Sequence, residues 1–238
     1  MLCLQETKCT DKQFPDFSDT GYEQAHFGLH SFNGVAILSR LGLEDVQTDF
    51  GQPGFDKDLD ATQSLEARAI GAICGGVEIW SLYVPNGREF ADPHYSYKLR
   101  WLDTLAKYAS GAGVGASKRK SSHKLCLVGD YNIAPRDEDV WDRSYFNGRT
   151  HVTPNERARL RALEDAGMQA ATDLVADEYT YWDYQAMRFQ KGEGMRIDLQ
   201  YSRGITPTGA RVDRDERKGK GASDHAPVIV DYDSDGEE

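Results

Sequence analysis

GDYNIAP, running from Gly129 to Pro135, follows directly on the apolar run Leu125 to Val128. A short apolar run closed by such a turn reads as a buried strand ending in Asp130 and Asn132. Side chains two apart at a strand end can converge on one atom. A carboxylate and a carboxamide held that way suit a water attacking phosphorus, one as proton acceptor and the other as neutral donor to the oxygens. The same residue types also form ordinary turns by bonding their own backbone, so this turn alone leaves both readings open.

Outward from that strand, apolar β-rich runs recur at Leu2 to Leu4, Val35 to Leu38, Ala67 to Cys74, Val77 to Val84, Arg196 to Tyr201 and Pro227 to Val230. Val77, Ile79, Ser81 and Tyr83 alternate with Glu78, Trp80, Leu82 and Val84, and both sets are largely apolar, which predicts a central strand covered on both sides. Gly75-Gly76 between two runs predicts a hairpin. Leu99, Leu102, Leu105, Ala106 and Ala109 form a helical stripe before Gly111. Thr153, Pro154 and Glu156 make a capping box with proline at the first helical position, followed by Leu160, Leu163, Ala166 and the terminator Gly167. Between Gly111 and Lys124 there is no apolar period, and the segment reads as a surface loop. Hairpin strands mixed with two strong helices predict an α/β (α+β) fold with two packed sheets flanked by helices.

The 238 residues, 39% hydrophobic and 28% charged, suit one globular domain over residues 1–230, with an acidic tail at 231–238. Cys3, Cys9, Cys74 and Cys126 have no CxxC spacing, which argues against zinc and for thiols of a reducing compartment. No apolar stretch reaches membrane-spanning length, and no secretion leader is expected. The formal charge is -11, yet five of the acids lie in the tail, and bases bunch at Lys118 to Lys120 and from Arg211 to Lys220. Those bunches read equally as solvated loops or as phosphate contacts.

Further polar groups stand at strand ends. Glu6 follows the first apolar run in LQETK, Tyr83 and Asn86 leave the central strand in YVPNG, Asp198 lies in RID, and Asp224 and His225 lie in SDHAP. A Mg²⁺ ion is commonly held by one or two carboxylates plus substrate phosphates. Imidazole beside a carboxylate changes charge near neutral pH and donates to a phosphate oxygen when protonated. With LQETK, YVPNG, GDYNIAP, RID, SDHAP and the connecting YTYWDY in this order, the chain resembles the exonuclease III family of abasic-site endonucleases, within the endonuclease/exonuclease/phosphatase superfamily. The likeness runs from Leu2 to Asp231.

The resemblance implies a four-layer α/β sandwich and a DNA repair phosphodiesterase. It would cut 5′ to abasic sites and remove nucleotides 3′ to 5′ from duplex DNA, as a monomer with Mg²⁺ or Mn²⁺. It would act in the cytoplasm at the nucleoid if bacterial, in the nucleus if eukaryotic. Glu6 and Asp224 would hold the metal, Asp130 and Asn132 would handle the water, and His225 with Asp198 and Tyr83 would act on the phosphoryl group. Asn86 and Arg88 would meet flanking phosphates. Tyr181, Met195 and Ile197 occupy the positions that line a small apolar pocket for a flipped-out sugar lacking its base. The resemblance also implies a strand and helix ahead of LQETK, the strand bearing an asparagine near the metal, so the first strand is expected to be missing from the sheet. Two other readings stand beside this one: a superfamily phosphodiesterase of inositol phosphates or sphingomyelin, and a catalytically impaired DNA-binding relative.

Overall fold

The computed structural model describes residues 1–56, 62–112 and 123–233. Lys118 to Lys120, most of the loop read between Gly111 and Lys124, and the last five residues of the acidic tail lie outside them. In chain order come β1 (Leu2–Gln5), β2 (Glu23–Phe27), β3 (Val35–Ser39), β4 (Glu44–Gln47), β5 (Ala69–Cys74) and β6 (Val77–Tyr83). Helix α1 (Pro93–Ala109) precedes β7 (Leu125–Asp130), and α2 (Pro154–Asp165) precedes the short β8 (Gln169–Ala170) and helix α3 (Arg188–Lys191). The chain closes with β9 (Asp198–Arg203), β10 (Thr206–Val212) and β11 (Val228–Asp233). Every apolar run of the sequence contributes to a strand. Strands β2, β4 and β10 are polar or half-exposed and had no such run to mark them.

One sheet has six strands in the order β4-β5-β6-β7-β9-β8, and only β6 and β7 among its pairs run parallel. Gly75 and Gly76 turn the β5–β6 hairpin with φ of 56° and 79°, a region that suits glycine. Strand β6 lies in the interior of the sheet, and its alternation sorts as read. Trp80 and Leu82 join Leu125 and Leu127 of β7 under the helices, while Val77, Ile79 and Tyr83 join Cys126 and Val128 between the sheets. Trp101, Leu102 and Leu105 of α1 and Leu160 and Leu163 of α2 complete the helix-side core. Asp92 caps α1 by accepting from the His94 amide at 2.9 Å, and Thr153 and Glu156 close a reciprocal capping box on α2.

The facing layer is in two pieces, β1-β3-β2 and β10-β11. Among the described residues β1 pairs only with β3, and β11 pairs only with β10. A cavity of about 1010 Å³ separates them, with Leu2, Leu4 and Val230 on its walls and Ile79, Cys126 and Val128 on its floor. Strand β11 runs to Asp233, three residues into the stretch read as tail. No helix among the described residues is long and apolar enough to cross a membrane.

Four of the five bases from Arg211 to Lys220 have structural partners. Arg217 is buried and donates to the Trp182 carbonyl at 3.0 Å, Arg214 lies over the Trp182 ring, Arg211 pairs with Asp231 and Lys218 with Asp215.

Candidate active site

Strand order decides which side chains meet. Tyr83 faces Asp130 across the β6–β7 pair, and Asp130 faces Asp198 across the β7–β9 pair, so three strands end in one row of polar groups. Gly129 makes the close approach possible. Its φ is 142°, and a Cβ there would lie 2.0 Å from the Leu82 carbonyl oxygen.

A cavity of about 840 Å³ opens above that row. It is lined by every site residue nominated by the sequence except Asp198, which stands behind His225. Asp130 is 5% exposed and accepts from the backbone amide and the side-chain amide of Asn132, at 2.8 and 2.9 Å. Burial pushes its carboxyl up to about 7, with the Asp198 and Glu6 carboxylates adding to the rise and His225 opposing it. Asn132 adopts φ of 52° and gives its second amide hydrogen to the Val84 carbonyl at 3.0 Å. Its oxygen, in turn, accepts from Asn86 at 2.8 Å.

His225 donates from Nδ1 to Asp198 at 2.8 Å. Burial opposes protonation of the ring, but the Asp198 carboxylate outweighs it and the imidazole is pushed up to about 10. Glu6 leaves β1 with φ of 53° and accepts from the Tyr83 hydroxyl and, at 2.6 Å, from Lys8. Burial works against its charge, and those two donors overcome it, leaving the carboxyl below the usual range. The Tyr83 phenol is driven up by burial and by the Glu6 charge, so it stays a donor at neutral pH.

Asp224 lines both cavities with Glu6, and no hydrogen bond or ion pair of the described residues engages its carboxylate. The described residues contain no group of three ligating side chains. Two carboxylates facing one cavity suit a hard cation that keeps waters and takes substrate oxygens, and they do not suit a zinc cage.

Tyr181, Met195 and Ile197 fall in one small apolar cluster with Phe146, Val152 and Trp141, all of which except Val152 line the cavity. Tyr181 pairs with Met195 on one flank and His225 on the other, which ties the apolar wall to the polar row. Arg88, with φ of 54°, stands at the rim, 3.7 Å from Asp92. Arg196 of the RID motif does not reach the cavity; it is fully buried against Asp139 at 2.8 and 3.0 Å.

Several groups at the site had no readable motif. His151, with φ of 77°, sets its Nε2 3.2 Å from both Asn132 Oδ1 and Asn86 Nδ2. Burial and the nearby Lys98 charge push this imidazole down to about 4, so it is neutral. Arg68 lies 4.8 Å from the Tyr83 ring centroid and pairs with Glu66 at 2.7 Å. The one usable signal was Lys98, a lysine three residues before Trp101 and four before Leu102, on the buried stripe of α1.

The chain is 25% identical over 252 residues to exodeoxyribonuclease III of Haemophilus influenzae, covering 98% of this chain and 89% of that protein. The solved 3′-5′ exonuclease NExo of Neisseria meningitidis matches with a TM-score of 0.84 and 30% identity over 97% of this chain and 88% of its own, and its DNA-hairpin complex is described as that of a 3′ phosphatase. An AP endonuclease of Archaeoglobus fulgidus matches with a TM-score of 0.83 and 28% identity, again over 97% and 88%. Residues 1–225 match the endonuclease/exonuclease/phosphatase family, and with sheets, helices and polar row arranged as above, the chain belongs to that family.

Proposed function

We propose that this protein is a divalent-cation-dependent DNA repair phosphodiesterase that cuts 5′ to abasic sites, leaving a 3′-hydroxyl, and removes nucleotides 3′ to 5′ from duplex ends. The observation that carries the reading is that Asp130 and the Asp198-bound His225 face one cavity with the apolar wall of Tyr181, Met195 and Ile197, the carboxyl raised by burial and the imidazole raised by the Asp198 charge. Groups tuned apart in this way divide base and acid work between them.

Asp130 accepts the proton of the attacking water, and Asn132, which gives one amide hydrogen to Asp130 and the other to the Val84 carbonyl and accepts from Asn86, holds that carboxylate in place. Protonated His225 donates to a phosphoryl oxygen as charge develops there, and the un-ionised Tyr83 hydroxyl does the same from the opposite end of the row once substrate replaces Glu6 as its acceptor. Glu6 and Asp224 are the side chains that would hold Mg²⁺ or Mn²⁺, whose contribution is Lewis-acid stabilisation of the phosphoryl charge. Tyr181, Met195 and Ile197 admit a sugar without a base and exclude an intact nucleotide by size.

A second reading, 3′-end trimming including removal of a 3′ phosphate, draws support from the neisserial relative described as an exonuclease and a 3′ phosphatase. Three labelled duplexes separate these activities: one with an internal abasic site, one with a recessed 3′-hydroxyl and one with a 3′ phosphate, each with and without Mg²⁺. Cleavage at the abasic site supports the main reading, and turnover of the 3′ ends alone supports the second. Binding of all three without cleavage would mark an impaired DNA-binding relative. Release of phosphate from inositol phosphates or of phosphocholine from sphingomyelin, with DNA untouched, would overturn both.

A further inference from the structure

We propose that Lys98 is a positioning residue that fixes the amides of Asn86 and Asn132 over Asp130, an assignment that rests on the role given to those amides under Proposed function. Its ammonium is fully buried and makes three hydrogen bonds, to the Asn132 carbonyl at 2.7 Å, the Asn86 carbonyl at 3.3 Å and Glu156 at 2.5 Å. An ammonium has three donors, so all are used. Two of the three acceptors are the main-chain oxygens of the two residues whose side chains bond each other at 2.8 Å.

Glu156 extends the clamp. It accepts from Lys98, from the His151 amide at 3.0 Å and from the Thr153 amide at 3.1 Å. The pair therefore ties three loops to α1 and α2: the turn after β6, the turn after β7, and the loop before α2.

Burying two charges is costly, and a well-packed neutral pair is often as stable or more so, so stability alone does not account for this pair. What it holds is unusual backbone. Asn132 and His151, at φ of 52° and 77°, sit in the left-handed region that most non-glycine residues avoid, though asparagine and histidine enter it more readily than others. Lys98 holds the carbonyl of the first, and Glu156 holds the amide of the second.

The test is the double variant Lys98→Met, Glu156→Gln, which removes both charges at nearly constant volume and keeps a capping residue that accepts from Thr153. Two readouts apply: the Asn86 and Asn132 side-chain NH₂ signals in ¹⁵N-labelled protein, and kcat and KM on whichever labelled duplex the wild type cleaves. We expect both NH₂ signals to move and kcat to fall about 10- to 100-fold with KM little changed, because a misplacement of about 1 Å costs roughly 10²-fold. Mn²⁺ binding should persist, since Glu6 and Asp224 are on other elements. Unmoved NH₂ signals with wild-type kcat per folded molecule would overturn the proposal.

Should the double variant not fold, the wild type decides. A slowly exchanging Lys98 ammonium with through-hydrogen-bond couplings to the Asn86 and Asn132 carbonyl carbons supports the clamp, and a freely rotating, rapidly exchanging one refutes it. If the wild type cleaves none of the duplexes, it is the functional reading that falls, and the NH₂ signals still decide the clamp.

Discussion

Asp130 stands directly opposite Asp198 across the antiparallel β7–β9 pair, so the two carboxylates share one face of the sheet. His225 lies against Asp198 at 2.8 Å and answers that charge, while Asp130 remains buried with only the Asn132 amides as donors. Like charges on adjacent strands and burial together hold Asp130 short of full ionisation at neutral pH.

Replacing Asp130 by Asn should therefore separate activity from stability. Loss of the base should lower kcat by at least about 10²-fold while DNA binding survives. Asp130 binds its proton more tightly folded than unfolded, so its contribution to stability falls as pH climbs from the ordinary carboxylate value to about 7. The Asn variant should consequently melt higher than wild type at pH 8, and the advantage should shrink toward acid pH. Thermal unfolding at several pH values checks this, and wild-type-like cleavage by the variant would sink the role of Asp130.

The rate should rise with pH as Asp130 deprotonates through about 7 and fall as His225 deprotonates toward about 10. Asp198→Asn removes the charge that holds the imidazole protonated, so the falling limb should move down toward the ordinary histidine value of about 6.5. By the same linkage, the stability His225 contributes is fully present below that ordinary value and is lost as pH rises through about 10. A pH profile with an unmoved upper limb in Asp198→Asn would remove His225 from the mechanism.

Excess chelator should abolish cleavage, and Mg²⁺ or Mn²⁺ should restore it. Glu6→Gln should raise the cation concentration needed for half-maximal rate by about 10-fold or more, in line with loss of a ligating carboxylate. Undiminished turnover in chelator is the result that rules out the cation site.

Tyr181→Ala opens the apolar wall shared with Met195 and Ile197. Discrimination between abasic and intact nucleotides should drop by about 10-fold or more, while affinity for undamaged duplex changes less. Measuring kcat/KM on both substrates tests it, and equal losses would reduce Tyr181 to a packing residue.

Periodicity was enough to place the strands that pack on both faces, such as β6 and β7, and both long helices, because burial of apolar side chains is written locally in spacing. Polar strands β2, β4 and β10 exist only by pairing with neighbours, so no local pattern marks them. Short strand-end motifs likewise carried Glu6, Tyr83, Asn86, Asp130, Asn132, Asp198, Asp224 and His225 in the chain itself. Only the strand order brought Tyr83, Asp130 and Asp198 into one row, since which strand lies beside which depends on contacts between residues far apart in sequence. The contacts of His151 and of the Lys98–Glu156 pair belong to the same class: the apolar stripe of α1 and the capping box of α2 mark Lys98 and Glu156 locally, but only three loops meeting in the folded chain decide that they pair with each other and hold Asn86, Asn132 and His151.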